Sequence, residues 1–171
     1  MGTSASDPCE SERGASEWEG SLARKRVAAT VLFTDARGRV LVVEPTYKPR
    51  WELPGGAVER NESPWRAAGR EIEEELGVEQ PPGRMLVIDY VPAAPGRTEG
   101  VITVFEGGVL AESAAAAIRL PAGELRNFAF VEPDGLAAFL PPLLVRRAVA
   151  AKRARDEGRT LYLEDGYLVS G

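Results

Sequence analysis

Short apolar and β-branched runs alternate with polar, glycine- and proline-rich segments along this chain, a pattern typical of strands joined by tight turns. The predicted strands lie at 27–33, 40–44, 85–91, 101–105, 109–112 and 128–131. The polar segment 34–39 predicts a hairpin turn between the first two strands. Strands followed by a helix, more strands and further helix indicate an α+β fold, with a mixed β-sheet and helices on its faces.

One helix is delimited by the signals at its ends. Ser63 is a typical N-cap, Pro64 suits the first helical turn, and Gly77 is a natural C-terminal stop. At about 100° per residue, one side of this helix carries an apolar stripe that we expect to face the core. The stripe consists of Trp65, Ala68, Ile72 and Leu76, whereas Ala67 falls on the neighbouring polar side.

The C-terminal part of the chain predicts two helices and a hairpin. A short helix is expected over 134–140, a longer one over 142–157, and a terminal hairpin over 161–169 that turns at Asp165-Gly166. The positions of the longer helix expected to face inward are Leu144, Val145, Ala148 and Ala151. The segments predicted to lack regular structure are the linker 114–117 and the loop 92–100.

Length and composition bound the organisation and the chemistry. The 171 residues suit a single domain, which we place at 23–171, preceded by a polar, aperiodic leader at 1–22 that we expect to be disordered. The net charge of −5 argues against a nucleic-acid partner, because such a surface needs basic patches. The chain has no histidine, which excludes histidine-based catalysis, and its single cysteine, Cys9, cannot form an internal disulfide.

The sequence also carries neither a transmembrane nor a secretory signal. No apolar run is long enough to span a bilayer, and the N-terminus lacks a basic-then-apolar secretory pattern. We therefore expect a cytoplasmic protein without a membrane partner. A homodimer is compatible with the sequence.

Three glutamates on the first predicted helix are candidate metal ligands. Glu71, Glu74 and Glu75 occupy positions i, i+3 and i+4, which place them within roughly a 100° arc of one helix face. Carboxylates this close repel one another unless a cation lies among them. Mg²⁺ prefers oxygen ligands and keeps several waters, one of which supplies a nucleophile. We therefore predict a Mg²⁺ site for phosphate chemistry, with Mn²⁺ as a substitute.

The glutamates belong to a longer pattern that resembles the Nudix box: Gly, five residues, Glu, seven residues, Arg-Glu, an aliphatic, any residue, Glu-Glu, any residue, Gly and an aliphatic. All nine specified positions are filled, by Gly56, Glu62, Arg70, Glu71, Ile72, Glu74, Glu75, Gly77 and Val78. A bare run of glutamates is more often a solvated helix face, but here glycines and an arginine stand in register. Residues 51–56 and 124–131 also look like the family, and the resemblance covers roughly 24–140.

The resemblance implies a fold and roles for the box residues. The fold is the Nudix α/β/α sandwich, with a mixed sheet and the box as loop, helix and loop. The Gly55 carbonyl is implied as a further metal ligand, and Arg70 is implied to hold a box glutamate in position. A plain i,i+4 pair of Arg70 with Glu74 is compatible with that role. Glu62 is assigned a structural or outer role.

The identity of the general base stays open between two classes of residue. In some members of the family it is a box glutamate, here Glu74 or Glu75, and in others it is a glutamate on a later loop. The candidates of the second class are Glu99, Glu106 and Glu124, of which Glu99 is preferred because its Gly/Pro-rich loop is suited to fold over a substrate.

The implied reaction is hydrolysis of a phosphoanhydride in a nucleoside diphosphate linked to another moiety, a small phosphorylated molecule. A nucleoside triphosphate, ordinary or oxidised, giving monophosphate and pyrophosphate is favoured. Alternatives are a nucleotide sugar, a dinucleoside polyphosphate and, in another class, nucleotide sensing without catalysis. Aromatic rings suit a base and cations suit phosphates. The candidate substrate contacts are Tyr47, Arg50, Arg97, Asn127 and Phe128.

Overall fold

A mixed β-sheet organises the part of the chain that the computed structural model describes, residues 18–121 and 123–171. The strands are β1 (Arg26–Thr34), β2 (Val40–Pro45), β3 (Gly55–Ala57), β4 (Met85–Val91), β5 (Gly100–Val109), β6 (Leu125–Val131), β7 (Leu161–Glu164) and β8 (Tyr167–Ser170). Cys9 and most of the predicted leader lie outside the described residues; 18–21 form one helical turn. Within the described ranges, no helix has the length and apolarity needed to cross a membrane.

The order of the strands places the glycine-rich segment at the centre of the sheet. The order is β6-β2-β1-β5-β4-β7-β8, and β3 pairs with β1 outside this path. β1 runs parallel to β5, β4 runs parallel to β7, and the remaining pairs are antiparallel. Because Gly55 lies opposite Thr30 and Ala57 opposite Ala28, β3 is held directly against β1.

Helices cover both faces of the sheet and enclose two hydrophobic layers. They are α1 (Pro64–Leu76), α2 (Glu112–Ala117), a 3₁₀ helix (Pro133–Ala138) and α3 (Pro142–Asp156). One buried layer joins α1 to the sheet, and the other joins α3 to the opposite face. The layer on the α1 side includes Phe33, Leu41, Ala68, Ile72 and Phe105. The layer on the α3 side includes Leu86, Val104, Ala148, Ala151 and Leu161. The predicted α+β architecture with an α/β/α arrangement is therefore confirmed.

The prediction of separate strands at 101–105 and 109–112 is wrong, because β5 continues to Val109. Leu32 pairs with Glu106 and Phe33 pairs with Gly108, so Gly107 is an extra residue that forms a β-bulge. Because of the bulge, β5 continues across Gly107 and Gly108, a glycine pair that predicts a strand break in the sequence. Segment 114–117, predicted to be a linker, belongs to helix α2, which begins at Glu112.

The predicted buried stripe of α1 is wrong at one position. Trp65 is 46% exposed and its indole N–H donates to the Pro82 carbonyl at 2.8 Å, whereas Ala67 is fully buried. The helix is therefore rotated so that two adjacent alanines face the sheet, which allows a close approach. The short helix predicted at 134–140 is a 3₁₀ helix that begins at Pro133 and ends at Ala138.

We predict that Gly107→Ala destabilises the fold. A Cβ at this position would lie 2.5 Å from Cδ1 of Phe33, a ring that is fully buried. Relief of such a clash costs typically about 1–3 kcal/mol of the free energy of unfolding, measurable by urea denaturation. Gly123→Ala is the matched control, because nothing lies within 4 Å of its added Cβ. Equal stability of the two variants would contradict the bulge packing.

Candidate active site

Helix α1 is fixed at both ends as the sequence indicates. The Ser63 side chain accepts the Arg66 N–H at 3.3 Å, and Gly77 adopts φ +67° and donates to the Glu73 carbonyl at 2.9 Å. Its apolar face packs on the sheet and leaves the adjacent glutamate-bearing edge beside β3. The helix therefore presents its carboxylates to the backbone of Gly55–Ala57.

Glu75 is the most buried of these carboxylates. Its residue exposure is 8%, and the Gly55 N–H donates to Oε2 at 2.8 Å. Gly55 has φ +131°, and a Cβ there would collide with the Ala29 carbonyl of the paired strand. Only glycine fits this approach of β3 to β1. The contact that fixes Glu75 thus depends on a backbone that excludes side chains.

Burial raises the pKa of Glu75 to about 8. The Gly55 N–H opposes the rise, whereas the negative charges of Glu71, Glu52 and Glu124 increase it. Burial also raises the pKa of Glu71, and Arg70 opposes that rise. The ionised form of Glu75 is therefore disfavoured in the folded chain, and a cation bound beside it would stabilise that form.

Arg70 binds three other glutamates, Glu71 and Glu74 on the helix and Glu62 just before it. Its Nε and Nη2 donate to Glu62 at 2.9 and 3.0 Å, and its Nη1 lies 2.9 Å from both Glu71 Oε1 and Glu74 Oε2. Arg70 lowers the pKa of Glu62, and these carboxylates, Glu62 foremost, raise that of Arg70. The same guanidinium therefore makes the i,i+4 pair with Glu74 and further contacts with Glu62 and Glu71.

Gly56 makes room for Glu71. A Cβ at position 56 would overlap the Glu71 carboxylate, so this side chain lies against bare backbone. The two consecutive glycines therefore have separate tasks: Gly55 allows the strands to approach, and Gly56 admits the carboxylate. The sequence shows that Gly55 and Gly56 are consecutive, but it does not distinguish their two structural tasks.

The glutamates face a cavity of about 380 Å³, here called the acidic cavity. It is lined by Tyr47, Gly55, Gly56, Ala57, Glu71, Glu74, Glu75, Glu124 and Leu125. Four carboxylates at one opening form a donor set of the kind that Mg²⁺ and Mn²⁺ accept. The chemistry of this set, with a buried carboxyl whose pKa is raised, fits a divalent cation.

The carboxylates are held apart in this conformation. Within 18–121 and 123–171, no three acidic side chains form a ready coordination shell. Arg70 binds Glu71 and Glu74, whereas Glu75 faces Gly55. Glu74 is largely exposed, so its side chain is able to rotate away from the guanidinium. A cation here would compete with Arg70 for the same oxygens.

The structure separates the three glutamates downstream of the box that are candidates for the general base. Glu124 lines the acidic cavity. Glu99 instead accepts the Lys25 ammonium at 2.5 Å and the Tyr90 hydroxyl at 2.6 Å, contacts that lower its pKa. Glu106 pairs with Arg84 at 3.4 Å. Of the three, Glu124 is the one that the fold brings to the box.

A second cavity, of about 300 Å³, shares the Gly55–Ala57 backbone and Tyr47 with the first; we call it the basic cavity. Its other lining residues are Arg26, Val27, Ala28, Thr30, Lys48, Glu52, Leu53, Ile102, Leu144 and Arg147. β3 thus borders two openings of opposite charge. The sequence gives no spacing signal for the basic cavity, because its residues come from β1, the 46–53 segment, β3, β5 and α3.

The predicted substrate residues are spread more widely than expected. Tyr47 borders both cavities and is 73% exposed. Arg50 is exposed, and Arg97 reaches the Pro92 carbonyl at 3.4 Å. Asn127 accepts the Phe128 N–H, and the Phe128 ring packs edge-on against Phe130. These last four line neither cavity.

Comparisons with known proteins identify the family of this chain and proteins that it resembles. The NUDIX domain description matches residues 24–153. The chain is 41% identical over 66 residues to diphosphoinositol polyphosphate phosphohydrolase 2 of Rattus norvegicus, covering 38% of this chain and 37% of that protein. It is 41% identical over 64 residues to diphosphoinositol polyphosphate phosphohydrolase 3-alpha of Homo sapiens, covering 37% and 39%. The match thus spans less than two-fifths of each of these relatives.

Solved structures share the fold at lower identity. A UDP-X diphosphatase superposes with a TM-score of 0.70 at 18% identity, covering 93% of this chain and 76% of that one. The MutT protein from Methanosarcina mazei Go1 superposes with a TM-score of 0.62 at 21% identity, covering 82% and 100%. Since the domain match includes the whole glycine- and glutamate-bearing segment and well over half of the chain, this protein belongs to the NUDIX domain family.

Proposed function

We propose that this protein hydrolyses a phosphoanhydride bond in a small phosphorylated molecule, with Mg²⁺ as cofactor and Mn²⁺ as a substitute. The observation that carries the proposal is the buried Glu75, held by Gly55 in a cavity that Glu71, Glu74 and Glu124 also line. The family membership and the names of the curated relatives support the same reaction class.

Glu71, Glu74 and Glu75 would hold the cation, with the Gly55 carbonyl as a further oxygen beside them. When bound, the cation supplies Lewis acidity and neutralises phosphate charge. Glu75 contributes a carboxylate that is already desolvated and oriented by a backbone N–H. Arg70 positions Glu71 and Glu74 through one nitrogen and is braced by Glu62 through two others. The box thus works as one assembly.

For the general base we propose Glu124, with Glu74 or Glu75 as the alternative within the box. Glu124 borders the acidic cavity, and its charge contributes to the raised pKa of both Glu71 and Glu75. A base must lie within hydrogen-bond reach of the water it deprotonates, directly or through one water. Glu99 is less suited because Lys25 and Tyr90 already occupy its two oxygens.

For the substrate we propose a nucleoside triphosphate, ordinary or oxidised, cleaved to monophosphate and pyrophosphate. Tyr47, exposed between the two cavities, supports this choice as a surface for a base. A second candidate is a diphosphate on a highly phosphorylated or glycosylated group. It is supported by the names of the relatives, diphosphoinositol polyphosphate phosphohydrolases and a UDP-X diphosphatase, and by the cations of the basic cavity.

We predict that Glu75→Gln lowers kcat by at least about 100-fold, since it removes a charged cation ligand. The measurement is phosphate and pyrophosphate release across nucleoside triphosphates, nucleotide sugars, dinucleoside polyphosphates and inositol pyrophosphates. EDTA should abolish the release, and Mg²⁺ or Mn²⁺ should restore it. Glu73→Gln is the matched control, because Glu73 lies on the same helix but outside the acidic cavity. Full activity of Glu75→Gln would refute the assignment, and binding of nucleotides without any turnover would favour a sensor.

We predict that Glu124→Gln lowers kcat about 100-fold with little change in KM, the size expected for loss of a general base. Glu99→Gln should leave kcat within about twofold, because its carboxylate is engaged away from the acidic cavity. The pH dependence of kcat distinguishes a base from a structural residue, since only loss of the base removes the acidic limb of the profile. A larger loss of kcat in Glu99→Gln than in Glu124→Gln would instead identify Glu99 as the general base.

The raised pKa of Glu75 predicts the pH dependence of stability in EDTA. The folded chain retains a proton on Glu75 up to a pKa of about 8, whereas the unfolded chain releases it near 4.5. The associated stability is therefore complete below pH 4.5 and is lost as the pH rises towards 8. Tm should fall over this window, and Glu75→Gln should flatten the fall. Mg²⁺ should raise Tm more at pH 8 than at pH 6, because it binds the deprotonated form. A Tm profile identical in both proteins would contradict the burial argument.

A further inference from the structure

The basic cavity has a cationic rim over an apolar wall. Arg26, Lys48 and Arg147 line it together with one carboxylate, Glu52. Lys48 lies 2.5 Å from Glu52, so this pair is internally balanced. Glu52 is the one acidic residue in the lining, so no acidic lining residue pairs with Arg26 or Arg147.

Arg147 is a buried, rigidly held cation. Its residue is 4% exposed, and Nε and Nη2 lie 2.8 and 2.7 Å from Oδ2 of the fully buried Asp89. The other oxygen of Asp89 accepts the Gly166 N–H at 3.0 Å, so the turn between β7 and β8 also fixes the pair. Nη1 of Arg147 donates to no residue in the described part of the chain. Arg147 lines the basic cavity, and a planar guanidinium fixed by two of its nitrogens in a cavity wall is preorganised to bind an anion.

The surroundings of Arg147 carry further positive charge. Burial lowers the pKa of Arg147, Asp89 opposes this, and the positive charges of Arg26 and Arg97 add to the lowering. Arg26 has no ion-pair partner among the described residues. Clustered cations repel one another, and an anion bound between them would relieve that repulsion.

Aromatic residues offer little to a nucleobase in this cavity. Tyr47 is the one aromatic residue in its lining, and it is largely exposed. Phe33 and Phe105 are buried in the core, and Trp51 packs edge-on against Phe139 at 5.1 Å. A base held here would stack on one side at most, whereas an anion would meet two guanidinium groups.

We propose that the basic cavity is a phosphate subsite for a group of the substrate other than the two phosphates joined by the cleaved bond, contacted by Arg147 and Arg26. This inference rests on the proposed function, because it places the scissile bond at the neighbouring glutamates across Gly55–Ala57. Asp89 is a positioning residue that acts through Arg147. The third phosphate of a nucleoside triphosphate and a phosphate ester on a carbon ring share this chemistry.

The test is calorimetric titration of the full chain in EDTA with two probes. Inorganic tripolyphosphate represents a phosphate chain, and inositol hexakisphosphate represents phosphate esters on a ring. We expect at least one probe to bind with a Kd on the order of 100 µM or tighter. Arg26→Gln should weaken the Kd at least about 10-fold. Arg37→Gln is the matched control, since this exposed arginine lines a cavity elsewhere, and it should stay within about twofold.

Arg147→Met is the second variant and should weaken binding at least as much as Arg26→Gln. It leaves Asp89 buried without its partner, so Arg26→Gln, at an exposed position, keeps the inference testable if Arg147→Met fails to fold. The probe that binds more tightly identifies the source of the phosphate. Absence of binding by both probes, or equal affinity of Arg26→Gln and Arg37→Gln, would overturn the proposal.

The titration separates this inference from the proposed hydrolysis. It needs neither cation nor turnover, and Glu75→Gln should bind the probes as the parent chain does. Hydrolysis without binding of the probes would refute the subsite alone. Binding without hydrolysis of any substrate would refute the proposed function alone.

Discussion

The site depends on one contact, the Glu75 carboxylate against the Gly55 N–H. A buried carboxyl is unfavourable by itself, and a single backbone donor offsets this only in part, as its raised pKa indicates. The contact requires α1 to lie close to the sheet, which two buried alanines permit, and β3 to lie against β1, which Gly55 permits. The hydrogen bond between Gly55 and Glu75 therefore depends on the apolar packing of α1 and on the absence of a side chain at Gly55.

The same strand pairing sets the relation between the two cavities. β3 is three residues long, and all three residues line both the acidic cavity and the basic cavity. α1 supplies the glutamates from one face of the sheet, and α3 supplies Arg147 from the opposite face. Asp89 on β4 holds the Arg147 guanidinium in place. Opposite charges are thus brought near each other by elements far apart in sequence.

Sequence reasoning reached the parts of the site that are local. The helix, its caps and the glutamate spacing follow from the 3.6-residue period and from end signals, and the structure places them as those signals indicate. The rotation of α1 was missed because the period groups Trp65 with Ile72 without saying which edge of the stripe meets the sheet. The bulge at Gly107 was missed because an extra residue in a ladder depends on the partner strand. Arg147 has no local signal at all, since its role comes from Asp89, 58 positions away.

Charge is therefore informative here at the scale of a cavity rather than of the chain. A net charge of −5 argues against a broad polyanion-binding surface, yet two arginines at one opening suffice for a single phosphate. An anionic substrate approaching the acidic cavity alone would be repelled, because four carboxylates face it with one guanidinium among them. A cation at the glutamates and an anion subsite at the arginines would reduce that repulsion at two separate points, and two points of attraction would fix the direction in which the substrate lies. The positions of the acidic and basic cavities would then orient the substrate before any contact with a nucleobase contributes to specificity.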